Sequence, residues 1–215
     1  MKYTVIIPAA GSSVRFGNKN KLTIKINGEM LIKHTISVFN YDKECEKIIL
    51  VVKESEFDFF KRLFCLEKKV IVVAKNTLTR SESVRFGLEY CKKSEFVMIH
   101  DGCRPFLEFE LVERIKEELM SHDVVIPILK ISDSILQINP NLKYLNRDNI
   151  FRVQTPQAFK KEILVNESNK IEKIDLFNDE FSQLLSTNNP INYKLIEGSN
   201  KNIKVTYEDD LNYFE

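Results

Sequence analysis

The chain has 215 residues, of which 43% are hydrophobic, and its formal net charge is +1 at pH 7. The length allows one sizeable hydrophobic core, and the nearly balanced charge argues against nucleic acid or an anionic membrane as a partner. The sequence shows no C-x-x-C spacing, no apolar run of about 18 residues and no signal-peptide pattern, so we expect a cytoplasmic protein with free thiols.

Short apolar runs of strand length alternate with amphipathic stretches of helical period. The runs are rich in Val and Ile and nearly continuous, which is typical of strands that are covered on both faces. Strands are predicted at 5–7, 48–52, 70–74, 96–99 and 124–128. Helices are predicted at 30–39, 57–64, 83–91 and 111–120. This alternation predicts an α/β fold with a Rossmann-like, mostly parallel sheet and helices on both faces.

The pattern changes after about residue 129. Residues 130–153 are polar and β-leaning with an Asn-Pro turn, which predicts an extended β-arm or hairpin. Beyond this arm we expect a helix that begins near Phe159 or Lys160, another at 179–185, and a strand near 193–196 that returns to the sheet. Because no repeat or low-complexity linker is visible, we expect residues 1–215 to form one domain that carries the arm.

The first predicted strand ends in a loop of small residues, PAAGSSVR at 8–15. Backbone N–H groups of such a loop can approach a phosphate closely, and Arg15 and Lys21 can neutralise a polyphosphate. The spacing matches neither the P-loop nor the dinucleotide-binding pattern. The alternative is a loop that only turns the chain and leaves its basic residues in solvent.

Polar and charged residues also follow two later strands, in AKNTLTRSES at 74–83 and IHDGCRPF at 99–106. Ligands of open parallel sheets bind beyond the carboxyl ends of the strands, so these segments should converge with the first loop on a nucleotide site. Asp101 could hold Mg²⁺, which prefers one or two carboxylates plus phosphate oxygens, or could only cap a turn. Arg104 could bind a second anion or form a surface ion pair.

Four further positions have simple structural alternatives. Helix capping explains Ser81 or Ser83 as readily as ligand binding does. Thr155 precedes a proline that fixes a turn, and its hydroxyl can be purely structural. Lys204 lies in a short β-like run, NIKVT, where a lone lysine usually faces solvent.

The order of these segments resembles that of the methylerythritol-phosphate cytidylyltransferases, from one end of the chain to the other. The matching segments are IPAAGSSVRFG, Lys21, RSESVRFGL, IHDGCRPF, QTPQAF, NDEFS and EGSNKNIKVTYEDDL. The combination is highly specific, although no single segment is. The resemblance implies an enzyme that joins CTP to 2-C-methyl-D-erythritol 4-phosphate with Mg²⁺ and releases pyrophosphate.

The resemblance also implies roles for single residues. Arg15, Lys21 and Lys204 would stabilise charge on the α-phosphate, and Asp101 would hold Mg²⁺. The nucleotide would be bound by Pro8, Ala9, Ala10, Gly11, Ser12, Ser13, Asn76, Thr77, Arg80, Ser83, Asp101 and Gly102. The polyol phosphate would be bound by Arg104, Ser134, Arg147, Thr155 and Asn178. The family is homodimeric and exchanges its arms, so parts of one site would come from the partner chain.

The sequence departs from the family pattern at several positions. Asn76 and Thr77 stand where the family usually has a Gly-Gly pair near the base, and Asn20 replaces the proline before the catalytic lysine. Ser134 and Asn178 each replace a threonine, and the loop between Arg15 and Lys21 is one residue short. These differences concern the choice of base and polyol phosphate and do not alter the expectation of a transferase.

Other functions remain open at this stage. A cytidylyltransferase for ribitol 5-phosphate shares the fold and most motifs, but its first loop more often has a double glycine where this chain has PAAG. A sugar-phosphate nucleotidyltransferase with another base is a wider alternative. A non-catalytic nucleotide-binding relative is the alternative from a different class, and the presence of Arg15, Lys21 and Asp101 argues against it.

Overall fold

The computed structural model describes residues 1–11, 16–17, 20–171 and 174–214, and within these ranges it has a central eight-stranded sheet and two small hairpins. The strands are β1 (Tyr3–Pro8), β2 (Lys25–Ile26), β3 (Glu29–Met30), β4 (Cys45–Val52), β5 (Val70–Ala74), β6 (Phe96–Ile99), β7 (Val124–Lys130), β8 (Ile135–Gln137), β9 (Lys143–Leu145), β10 (Phe151–Val153), β11 (Gln157–Lys160) and β12 (Tyr193–Glu197). The α-helices are α1 (Leu31–Tyr41), α2 (Phe57–Leu63), α3 (Arg80–Leu88), α4 (Phe109–Leu119), α5 (Lys161–Ser168) and α6 (Glu180–Ser186).

The central sheet is mixed but mostly parallel, as predicted. Strands β5, β4, β1 and β6 are parallel neighbours, and β12 lies parallel to β7. Strand β11 joins the two groups because it lies antiparallel between β6 and β7. Strand β10 continues along β7, pairing Phe151 with Lys130 and Val153 with Ile128. The arm therefore leads directly into the centre of the sheet.

Helices cover both faces of the sheet because successive residues of the buried strands point to opposite sides. One core contains Val5 and Ile7 of β1 together with buried residues of α1, α2 and α4. The other contains Ile6 of β1 with buried residues of α3, α5 and α6. The continuous apolar strands are thus explained by burial on both faces.

Helix α3 packs unusually close to the sheet at Gly87. A Cβ at this position would lie 2.6 Å from Ile6 Cγ2 and 3.3 Å from Val51 Cγ2. The absent side chain lets the helix approach β1 and β4, which brings the first residue of α3, Arg80, to the carboxyl end of β1.

The helix predicted to begin near Phe159 or Lys160 is α5, which begins at Lys161. The strand before it, β11, is not among the predicted strands, and it contains both Phe159 and Lys160. Phe159 is fully buried, and Ala158 pairs with Met98 on one side and Val125 on the other. A short apolar run fits a strand and a helix equally well, and only pairing with two distant strands decides between them.

Two hairpins lie outside the central sheet. Strands β8 and β9 pair within residues 130–153, where an extended arm is predicted. Strands β2 and β3 form a hairpin that the strand predictions omit, although its turn carries the Asn-Gly pair typical of tight hairpins. Asn27 and Gly28 have φ angles of 50° and 85°, the left-handed conformation that this turn requires. None of the described helices has the length and apolar character needed to cross a bilayer.

Candidate active site

A cavity of about 570 Å³ lies at the carboxyl ends of β1 and β6, where the sequence predicts a nucleotide site. It is bounded by the end of β1, the start of α3, the loop after β6 and a segment near the C-terminus. Its lining residues are Pro8, Ala9, Gly11, Phe16, Lys21, Leu22, Arg80, Asp101, Gly102, Cys103, Asn178, Lys204 and Thr206. Residues that are far apart in the sequence thus meet at one edge of the sheet.

Asp101 lies at the centre of a cluster of charged side chains in this cavity. Its Oδ1 accepts a hydrogen bond from Arg80 Nε at 2.9 Å, and its Oδ2 accepts one from Arg104 Nε at 3.3 Å. Lys204 Nζ lies 3.0 Å from Oδ2. Burial opposes ionisation of Asp101, but these three cations hold the pKa of its carboxyl well below its usual range. The group is therefore a carboxylate at neutral pH.

Arg80 links Asp101 to a second buried carboxylate, Glu180. Arg80 Nη1 donates to Glu180 Oε2 at 2.5 Å, and the Glu180 side chain is 3% exposed. Burial opposes the charge on Arg80, but Glu180 and Asp101 together raise the pKa of the guanidinium above its ordinary value. Burial raises the pKa of Glu180, and Arg80 counteracts this. Glu180 is part of the NDEFS segment, yet sequence reasoning assigned no role to it.

Lys21 begins a one-turn 3₁₀ helix, and the side chain of Asn20 accepts a hydrogen bond from the backbone N–H of Leu22 at its start. Asn20 therefore supplies a helix cap immediately before Lys21. Lys21 Nζ donates to the carbonyl oxygen of Val205 at 2.9 Å. This contact places Lys21 beside the segment that carries Lys204.

The loop after β6 is fixed by a buried chain of hydrogen bonds. The Thr155 hydroxyl accepts from the backbone N–H of Asp101 at 3.1 Å and lies 3.0 Å from His100 Nδ1, while His100 Nε2 contacts the carbonyl oxygen of Arg104 at 3.3 Å. Because that carbonyl can only accept, Nε2 carries the proton and Thr155 donates to Nδ1. Burial lowers the pKa of His100 to about 3, so its ring is neutral. The Thr155 hydroxyl is thus engaged in positioning Asp101.

A smaller cavity of about 380 Å³ adjoins the first one on the α3 side. Its lining residues are Pro8, Ala10, Gly11, Lys53, Thr77, Leu78, Thr79, Arg80 and Ser83. The hydroxyls of Thr77 and Ser83 are hydrogen bonded at 2.6 Å. Asn76 instead exchanges two hydrogen bonds with Glu54, at 2.9 and 3.2 Å.

The capping explanation for Ser81 and Ser83 is wrong, because the residue that caps α3 is Thr79. The Thr79 hydroxyl accepts from the backbone N–H of Glu82 at 3.2 Å. Ser81 accepts a hydrogen bond from Gln183 Nε2 at 2.9 Å, and Ser83 contacts Thr77. Both serines lie inside the helix and are used for contacts with other segments.

A third cavity, of about 640 Å³, lies on the other side of Lys204. Its lining residues are Arg104, Leu129, Arg152, Val153, Gln154, Asn200, Asn202, Ile203, Lys204, Thr206, Tyr207, Asp210 and Tyr213. Arg104 is buried and donates from Nη1 to the Asn202 carbonyl at 2.8 Å, so the surface ion pair considered for it is wrong. Lys204 contacts Asp101, which overturns the expectation that a lone lysine here only faces solvent. Arg152, which sequence reasoning missed, adds a further cation.

Several candidate residues lie elsewhere. Arg147, on the arm, donates from Nη1 to the Ser132 carbonyl at 2.7 Å, and neither Arg147 nor Ser134 lines any of these three cavities. By contrast, Asn178 does line the first cavity, two residues before α6 begins. Ser12, Ser13 and Arg15 lie outside the described residues.

The first cavity fits a divalent cation that is shared with phosphate groups. Among the described residues that line it, Asp101 supplies the only carboxylate, and that carboxylate is ionised. One carboxylate with phosphate oxygens is an environment that Mg²⁺ favours. The cluster of Asp42, Glu44 and Glu113 lies elsewhere and already surrounds the ammonium group of Lys116.

Comparisons with known proteins agree with this arrangement. A family model described as 2-C-methyl-D-erythritol 4-phosphate cytidylyltransferase matches residues 3–215. Relatives with this name from Bacillus licheniformis and Bacillus velezensis are 35% and 32% identical, covering 98% and 100% of this chain and 93% and 95% of their own. A crystal structure of 4-diphosphocytidyl-2C-methyl-D-erythritol synthase from Anaerococcus prevotii superposes with a TM-score of 0.87 at 28% identity, over 99% of this chain and 96% of that one. The chain therefore belongs to the 2-C-methyl-D-erythritol 4-phosphate cytidylyltransferase family, which consists of nucleotidyltransferases.

Proposed function

We propose that this chain transfers the cytidylyl group of CTP to 2-C-methyl-D-erythritol 4-phosphate and releases pyrophosphate, a step of isoprenoid precursor synthesis. The observation that carries the proposal is the meeting of Lys21, Arg80, Lys204 and Asp101 in one cavity at the strand ends. Family membership supplies the identity of the two substrates.

The reaction needs charge stabilisation more than proton transfer. A phosphate oxygen of the polyol phosphate attacks the α-phosphorus of CTP and forms a new P–O bond, while the bond to the β-phosphate bridging oxygen breaks. The attacking phosphate is already ionised, so no general base is required. Lys21 and Lys204 would stabilise the negative charge that builds up at the α-phosphate, together with Arg15 from the first loop.

Asp101 would hold Mg²⁺, which on binding would neutralise phosphate charge next to these lysines. Backbone N–H groups at 9–13 would bind the triphosphate, and the smaller cavity beside Thr77 and Ser83 would take the nucleoside. Gly102 would meet the nucleotide through its backbone, because a Cβ there would point into the core, 3.3 Å from Ile7 Cγ2 and 3.4 Å from Ile32 Cδ1.

The polyol phosphate would occupy the third cavity, where Arg104 and Lys204 supply positive charge next to the first cavity. Arg147 would bind its phosphate from a partner chain, with Ser134, Thr155 and Asn178 nearby. The arm supports a homodimer because it carries large exposed apolar side chains, namely Leu136, Ile138, Leu142 and Tyr144, which are 44–76% exposed. We also propose that residues 1–215 form one domain and that the protein is located in the cytoplasm.

The test is pyrophosphate release from CTP with each candidate polyol phosphate. We expect turnover with 2-C-methyl-D-erythritol 4-phosphate, abolished when a chelator removes divalent metal and restored by added Mg²⁺. Turnover with ribitol 5-phosphate and none with 2-C-methyl-D-erythritol 4-phosphate would identify the protein as one of the related cytidylyltransferases that act on ribitol 5-phosphate. Tight CTP binding without release of pyrophosphate from any acceptor would indicate a non-catalytic relative.

A further inference from the structure

Glu180 is a buried carboxylate that no step of the proposed reaction uses. It is the first residue of α6 and is 2% exposed. A carboxylate so far from solvent is destabilising unless it is paired and hydrogen bonded. Its partner is Arg80, which also donates to Asp101. A residue outside the cavity lining is therefore connected to the candidate metal ligand through a single guanidinium.

Arg80 divides its donors between the two carboxylates. Nε binds Asp101, Nη1 binds Glu180, and Nη2 is buried with no hydrogen-bond partner among the described residues. Arginine and a carboxylate often form two parallel hydrogen bonds, which would neutralise the carboxylate more completely. Here Asp101 receives only one bond from Arg80, because the guanidinium is also held by Glu180.

Glu180 is itself held firmly in place. Gln183, one turn further along α6, donates to the buried Ser81 hydroxyl at 2.9 Å. Asp179 caps α6 through the backbone N–H of Ser182 and also accepts from Gln157 Nε2 at 2.8 Å. The start of α6 is thus fixed both to α3 and to β11, which holds the Glu180 backbone beside Arg80. Arg80 supplies the hydrogen bond to the Glu180 carboxylate, whose Oε1 is buried with no partner among the described residues.

The charges around Asp101 show what Glu180 contributes. Three cations, Arg80, Arg104 and Lys204, contact the single carboxylate of Asp101. Without Glu180 this cluster would gain one net positive charge, and Arg80 would be free to bind Asp101 more fully. Both changes would oppose the binding of a divalent cation at Asp101.

We propose that Glu180 is a positioning residue that holds Arg80 partly away from Asp101 and so keeps the Asp101 carboxylate available to a divalent cation. This inference rests on the proposed function, which places the metal on Asp101. Glu180 acts through Arg80 and does not touch the substrates.

The experiment is a titration of the full-length protein with Mn²⁺ at saturating CTP, without polyol phosphate, followed by electron paramagnetic resonance. We expect Glu180→Gln to weaken protein-dependent Mn²⁺ binding about tenfold, the scale of removing one nearby charge at an intermediate effective dielectric constant. CTP binding in the presence of a chelator should not weaken, because removing a negative charge near an anionic nucleotide favours its binding. A purely structural role would weaken both ligands.

Two further variants keep the test decisive. Glu180→Asp retains the charge and should lie between wild type and Glu180→Gln. In the double variant Arg80→Met with Glu180→Gln, the competing guanidinium is gone, so Mn²⁺ affinity should return toward the wild-type value. Glu167→Gln is the matched control, since Glu167 lies on α5, is 8% exposed and pairs with Lys170. This variant should bind Mn²⁺ as wild type does.

The outcomes separate this inference from the proposed function. If Asp101→Asn binds Mn²⁺ as tightly as wild type, the metal assignment itself is wrong. If Asp101→Asn loses the ion while folded Glu180→Gln keeps wild-type affinity, only the role of Glu180 is overturned. If Glu180→Gln is unstable, the double variant decides. It should bind Mn²⁺ with an affinity close to that of wild type, and clearly weaker binding would contradict the proposal.

Discussion

Lys204 Nζ lies 3.0 Å from Asp101 Oδ2, so an ammonium group contacts the carboxylate on which we propose the divalent cation. Lys204 is 40% exposed and can move, whereas Asp101 is 7% exposed and fixed by its neighbours. In the proposed site the two cations would compete for one carboxylate, and metal binding would release Lys204 toward the nucleotide phosphates. We therefore expect metal affinity and catalysis to respond in opposite directions when Lys204 is removed.

We expect Lys204→Met to bind Mn²⁺ more tightly than wild type at saturating CTP and yet to lower kcat by about 10²–10³-fold, the effect of losing one preorganised donor in a charged transition state. Electron paramagnetic resonance measures the first quantity and pyrophosphate release the second. Lys201→Met is the control, because Lys201 is exposed and pairs with Glu108 outside the cavity. Weaker Mn²⁺ binding by Lys204→Met would contradict the competition.

Lys21→Ala should lower kcat by about 10²–10³-fold with little change in the KM for CTP, because a contact made mainly in the transition state behaves in this way. Arg15→Ala should behave similarly. Lys25→Ala, on an exposed position of β2, is the control. Steady-state kinetics with varied CTP provide the measurement. Near-normal kcat in both variants would contradict these roles, and Lys19, another lysine of the short segment between Arg15 and Lys21, would be the next candidate.

Arg147→Lys should raise the KM for the polyol phosphate and leave CTP binding nearly unchanged, because an ammonium group cannot replace the two-pronged contact of a guanidinium with phosphate. The exposed arm residue Lys143 provides a control variant, Lys143→Ala. In a second experiment, inactive Arg147→Ala and Lys21→Ala proteins are mixed. If the arm crosses to the partner, subunit exchange should restore some activity, since one mixed site carries neither lesion. Proven exchange without recovery would mean that each site is built from one chain.

Lys116→Met should destabilise the fold by about 3 kcal/mol at pH 7, near the lower end for breaking a buried ion pair, because two of its three carboxylate partners are partly exposed. Urea denaturation measures this loss. Lys2→Met, which removes the exposed pair with Glu46, should cost less than about 1 kcal/mol.

The same cluster predicts a pH dependence of stability. Burial opposes ionisation of Asp42, but hydrogen bonds from Tyr3, the Glu44 backbone and Lys116 lower its pKa below the ordinary value. The unfolded chain therefore binds more protons at acid pH, so the wild-type free energy of unfolding should fall as the pH drops below about 4. The difference between wild type and Lys116→Met should shrink over the same range, since protonation removes the unpaired negative charge. A difference that stays constant between pH 7 and pH 3 would argue against this account.

The sequence predicts the strand–helix alternation well because buried parallel strands are continuous in Val and Ile. It also predicts that Asp101 and the first loop converge, since both follow strand ends. The bond between Arg80 and Glu180 has no local signal, as the two residues are 100 positions apart. Strand β11 is missed because its four residues are too few to show a period. Long-range pairing, which a single sequence does not display, decides both cases.

The course of β10 and β11 along β7 has a consequence for how the chain can change in length. Residues added at the tip of the β8–β9 hairpin alter only a turn. One residue added at 154–156 would shift β11 by one position against β6 and β7, moving Phe159 to the opposite face of the sheet, into the core that now holds the small Ala158, and removing Thr155 from the Asp101 backbone. We therefore expect insertions and deletions among relatives to accumulate at the hairpin tip and to be absent from the short connection that enters the sheet.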